Sequence, residues 1–154
     1  MQFFAKKGEK TSVQLFTPVC ELIPKYERFQ PSAYLISGDL PWKQQGESNQ
    51  AYILRLKYMA VAKIESTYAE GKRPIFYEDF GKQNYWIGGE WRGLLEEGLY
   101  ALVVFSEQNE SGNILLGMNE KEDWTPDLFK YVDEVMPTIG KGLCDPHGFT
   151  GKIL

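Results

Sequence analysis

Residues 99–105 read LYALVVF, an apolar run with almost no interruption. A short run of this kind, followed by the polar turn SEQNESGN, reads as a central strand covered on both faces. ILLGMN (114–119) reads as its antiparallel partner across that turn. Upstream, RPIFYEDF (73–80) has Pro74 where an edge or first strand position tolerates the missing N–H. NYWIGGEWRGLL (84–95) places Gly88-Gly89 between two aromatic stretches, as in a tight hairpin turn. SVQLF (12–16), closed by Thr17-Pro18, and AYLIS (33–37), closed by Gly38-Asp39, read as two more strands.

Helical patterns lie on either side of the central strands. In residues 48–71, Ile53, Leu56, Ala60, Ile64 and Tyr68 recur at steps that make one apolar stripe. Ser48 or Asn49 can cap its start, and Gly71 sits where it would end. Leu54, Leu56 and Tyr58 alternate with Arg55 and Lys57 in a competing strand-like pattern; length and alanine content favour the helix. A second helix is expected from Thr125, with Pro126 at its first position and Asp127 in its first turn. Pro137 should end it before Gly140, leaving residues 140–154 as a glycine-rich tail. Residues 37–50, SGDLPWKQQGESNQ, read as an exposed loop.

These elements predict an α+β fold in one domain spanning residues 1–154: a mainly antiparallel sheet of four to six strands, with two principal helices packed on one face. A chain of 154 residues can bury a core without metal or disulfide staples. Neither an internal repeat nor a low-complexity tract divides it.

Net charge is −4, which argues against a dedicated duplex-DNA binder. No apolar run approaches the roughly 20 residues that span a bilayer. MQFFAKKGEKTS at the N-terminus has an apolar start followed by charge, the reverse of a secretory signal, so a cytoplasmic location is expected. In a reducing cytoplasm, Cys20 and Cys144 are expected as free thiols.

Few motifs suggest chemistry. Cys144 and the only histidine, His147, stand three apart in GLCDPHGFTGK. His147 could activate Cys144 as a nucleophile, but the favoured reading is that Asp145-Pro146 makes a turn in which His147 hydrogen-bonds locally or faces water. A metal site needs three or four ligands, and no second histidine supplies one, so neither metal nor cofactor is expected. No phosphate-binding loop pattern occurs. Adjacent carboxylates such as Glu96-Glu97 read as solvated surface. Glu78 and Glu90 differ because both lie among aromatic residues, where a carboxyl can be perturbed or can contact a ligand.

Aromatic residues make up 14% of the chain, and large rings either fill cores or anchor binding surfaces. In YWIGGEWRGLL, Trp86, Glu90, Trp91 and Arg92 combine the residue types that dominate binding hot spots, with Trp42 as an outlying loop candidate. The expected function is therefore non-catalytic: a protein of the inhibitor, immunity or assembly type that engages a protein partner, possibly basic, through an aromatic and mildly acidic surface. Two alternatives remain. One is a small-ligand pocket or minor hydrolase using Glu78 or Glu90, or Cys144 with His147. The other is a single-stranded nucleic-acid binder that stacks bases on its rings.

Overall fold

A computed structural model describes residues 1–119 and 142–145. Among these, eight strands form two antiparallel four-stranded sheets. The first sheet has the order β1 (Gln2–Ala5), β7 (Gly98–Phe105), β3 (Ser32–Ser37), β4 (Ala60–Ile64). The second has the order β5 (Ile75–Glu78), β6 (Gln83–Leu94), β2 (Lys10–Pro18), β8 (Leu115–Met118).

The two sheets share one core. Val13 and Leu15 from β2 meet Ala33 and Leu35 from β3, Ile64 from β4, and Tyr100 and Leu102 from β7. Because side chains alternate across a strand, Tyr34 and Ile36 must point out of the opposite face of the first sheet. That face is covered by an α-helix, α1 (Asn49–Lys57), whose Leu56, Tyr52 and Ile53 pack on Tyr34 and Ile36. Both faces of β3 are therefore buried.

LYALVVF is a central strand, as its composition requires, but its partners are β1 and β3. β8, expected to pair with it, crosses to the second sheet and pairs with β2. Gly88-Gly89 does not turn a hairpin either: β6 runs straight through it. The register passes from Gln14↔Glu90 to Phe16↔Ile87, so Leu15 opposes two residues, which makes a β-bulge. Close approach explains the glycines. A Cβ at residue 88 would stand 2.8 Å from the Leu15 carbonyl oxygen, and one at 89 would stand 2.8 Å from the Glu65 carbonyl carbon.

The helix predicted for 48–71 is shorter. Ser48 caps it, its Oγ accepting from the Ala51 N–H at 3.1 Å. After Lys57 the chain leaves the helix, and Ala60–Ile64 extends along β3. Burial against two sheets has overridden the helical stripe, since Leu56 packs under the helix and Ile64 enters the inter-sheet core. The expected single sheet with two principal helices is thus two sheets with one α-helix and one 3-10 turn, Pro24–Glu27, among the described residues. The helix expected from Thr125 lies outside them, as does His147.

A smaller cluster closes one end of the second sheet. Cys20, Tyr26 and Phe29 pack with Trp86, Ile114 and Cys144. The two cysteines are not free thiols: they form a disulfide, with Cα atoms 5.3 Å apart. Arg73 penetrates this cluster and is only 5% exposed. It donates to the Phe29 carbonyl at 2.8 Å, the Tyr26 carbonyl at 3.0 Å and Thr17 Oγ1 at 2.7 Å. Burial pulls its guanidinium down to about 10, partly offset by Glu27. No helix among the described residues is long and apolar enough to cross a membrane.

Candidate functional site

The most prominent surface group is Trp42, 93% exposed at the tip of the loop between β3 and α1. The loop leaves β3 at Gly38, whose positive φ of 85° suits glycine and whose N–H donates to the Leu99 carbonyl at 2.7 Å. Two helix residues then hold the backbone on either side of the indole. Tyr52 Oη donates to the Pro41 carbonyl at 2.9 Å, and Arg55 Nη2 donates to the Trp42 carbonyl at 3.0 Å. Arg55 also grips Glu47 through Nε and Nη2 and lies over the Tyr52 ring. Glu47 accepts as well from the Gln44 N–H, and Lys43 Nζ donates to Asn49 Oδ1 at 2.7 Å. Hydrogen bonding to Arg55 holds the Glu47 carboxyl down at about 2. The indole therefore projects from a loop whose backbone is fixed.

Around it is a cavity of about 460 Å³, lined by Gln2, Asp39, Leu40, Pro41, Lys43 and Tyr52 as well as Trp42. Gln2 lies two residues from Phe4 on β1 and so shares its face. Phe4 opposes Leu99 in the register, and the two are 61% and 37% exposed. Phe4 and Leu99 thus form an exposed apolar pair on the β1–β7 edge, with polar Gln2 between them and the Trp42 cavity.

The four residues of the YWIGGEWRGLL motif do not form one face. Trp86 and Trp91 are both half-buried, but they pack on different clusters. Trp91 lies opposite Val13 against the inter-sheet core, while Trp86 lies opposite Thr17, its ring 5.8 Å from the Arg73 guanidinium carbon. Glu90 and Arg92 alternate with Trp91 and point to the other face, where they form an exposed ion pair. They border a 410 Å³ depression with Glu65, Thr67, Tyr68 and Gly88.

The other carboxylate, Glu78, holds the turn between β5 and β6, accepting from the Phe80 and Gly81 N–H groups at 2.8 and 2.5 Å. Beside it, burial pushes the Tyr85 phenol up to about 12, with the Glu78 charge adding to the effect. Cys144 is tied to Cys20 and carries no thiolate while that bond stands. Among the described residues no three His, Cys, Asp or Glu side chains converge on a metal-sized point.

Sequence reasoning placed Trp42 at the margin and passed over its neighbours Phe4 and Leu99. The bracing by Tyr52 and Arg55 spans contacts between a loop and the helix after it, and no local motif marks it. No family model, curated protein or solved structure matches the chain.

Proposed function

We propose that the chain is a non-catalytic binding protein of the inhibitor, immunity or assembly type, and that it engages a protein partner through the surface around Trp42. One observation carries this reading: an indole 93% exposed stands on a loop that several hydrogen bonds hold still. Burying exposed apolar area favours association, and only the surplus over the freedom lost on binding shows as affinity. A loop already fixed loses little further freedom on binding. Tryptophan is also the residue type most enriched in hot spots, where truncation typically costs about 2 kcal/mol or more. The net charge of −4 favours a basic partner, steered by long-range attraction.

The Cys20–Cys144 disulfide supports an oxidising compartment in place of the expected cytoplasm. Pull-down from native lysate tests the reading, comparing wild type with Trp42→Ala. Capture that depends on Trp42 supports it, and equal recovery by the two proteins removes it.

A small-ligand role is favoured by a separate cavity of about 530 Å³ between α1 and the end of β7. Tyr34, Ile53, Val104 and Phe105 contribute apolar lining, and Lys57 and Glu107 add charge. A thermal-shift screen with small aromatic and cationic compounds tests this. The absence of any stabilising compound would count against the ligand reading and leave the Trp42 surface unaffected.

A further inference from the structure

We infer that β5 is a self-association edge, and that a second copy of this chain pairs with it antiparallel to join two second sheets into one. β5 lies at the end of its sheet and pairs only with β6 among the described strands. Its first three side chains, Ile75, Phe76 and Tyr77, are 51%, 43% and 51% exposed. Consecutive strand residues point to opposite faces, so the strand is apolar and open on both. Natural edge strands are normally blunted by charge, proline or a bulge, because unpaired backbone groups template further pairing. Here proline stands only at the entrance, Pro74, and the charges only flank the strand, Lys72 before it and Glu78-Asp79 at its exit.

The ladder to β6 fixes which backbone groups are free. The Ile87 N–H donates to the Pro74 carbonyl at 2.9 Å, and Phe76 opposes Tyr85. In an antiparallel pair the bonded residues alternate, so residues 74, 76 and 78 turn their groups to β6 while Ile75 and Tyr77 turn theirs outward. A two-fold axis at Phe76 sets Ile75 of each copy against Tyr77 of the other, and their outward N–H and C=O groups close a new ladder. The Phe76 rings then meet across the axis as a close, non-hydrogen-bonded pair.

Charge selects a second copy as the occupant. The entrance of the strand carries exposed Lys72, and the exit carries Glu78 and Asp79. Antiparallel self-pairing brings each basic entrance to the other copy's acidic exit and keeps the two acidic ends apart. The interface is isologous, so it closes at two copies.

Sedimentation velocity of the full-length oxidised chain over a concentration series tests the inference. The expected result is a mass that doubles as concentration rises, with Lys72→Glu shifting the midpoint to higher concentration. Tyr77→Pro removes an outward N–H without touching the β6 ladder, and should leave a monomer with wild-type circular dichroism and melting temperature. If that variant fails to fold, Tyr77→Lys decides the matter by placing a charge against Ile75 of the second copy. A chain that stays monomeric up to millimolar concentration overturns the inference, including the case in which only an unrelated extended peptide binds the edge. Dimerisation of wild-type strength in a folded Tyr77→Pro or Tyr77→Lys protein overturns it as well. Trp42→Ala should dimerise normally, which keeps this result separate from the Trp42 reading.

Discussion

Arg55 holds the carboxylate of Glu47 through bonds of 2.9 and 2.8 Å, and with its remaining reach it holds the carbonyl of Trp42. The pair fixes a loop more than it stabilises a fold. The two side chains are partly buried at the surface, 10% and 31% exposed, where an ion pair contributes modestly to global stability. Glu47→Ala should therefore lower the melting temperature only slightly while the indole gains freedom. Time-resolved anisotropy does not resolve one indole among four, so the measurement needs a background with Trp86 and Trp91 replaced by Phe and Trp124 by Tyr. A partner that needs Trp42 should bind this variant several-fold more weakly.

Acid should release the same loop. The Glu47 carboxyl sits at about 2 in the folded chain against an ordinary 4.5. A lowered carboxyl stabilises the folded arrangement above its ordinary value, and that contribution disappears as pH falls from about 4.5 to about 2. A side-chain NMR titration should place the Glu47 midpoint near the lower value. In Arg55→Met the midpoint should return toward the ordinary one.

Arg73 is the polar group whose loss should cost most. It satisfies two carbonyls and a hydroxyl inside the cluster that joins the 3-10 turn to the second sheet. Arg73→Met keeps most of the volume but strands those acceptors, so chemical denaturation should report a loss of roughly 2–4 kcal/mol. Arg73→Lys cannot reach all three acceptors and should recover only part of that.

The bulge glycines should resist the smallest enlargement. Gly89→Ala sets a methyl against the Glu65 backbone and Gly88→Ala sets one against the Leu15 carbonyl, with no flexible side chain to give way. Each should destabilise by about 1–3 kcal/mol in urea unfolding.

Reduction gives a further check on the fold. The Cys20–Cys144 link closes a separation of 124 residues, and long closures restrict the unfolded chain most. Dithiothreitol, or Cys20→Ser with Cys144→Ser, should lower stability by about 2–4 kcal/mol. A melting curve unaffected by reductant would show that the bond does not form in the purified protein.

The strands were legible where one sequence property decided them. LYALVVF is apolar throughout because β7 is the second strand of its sheet, flanked by β1 and β3, and Ser48 announces a helix start that it does cap. Pairing was not legible, since ILLGMN is equally suited to β7 and to β2, and only the assembled sheets choose. Gly88-Gly89 carries the composition of a turn but answers to crowding by Leu15 and Glu65, which lie far away in sequence. Ala60–Ile64 continues a helical period yet pairs with β3, because long-range pairing outweighed local propensity. At the site, the indoles of Trp86 and Trp91 proved to rest on two separate clusters, a distinction residue type cannot make. Trp42 was visible as a loop tryptophan, but its rigidity depends on Tyr52 and Arg55 one helical turn apart.

The bond between residues 20 and 144 makes most of the polypeptide a covalent ring. A protease that severs one peptide bond within that ring, in the Trp42 loop for instance, opens the circle without shedding mass. Both pieces would travel together on a gel until a reductant parted them.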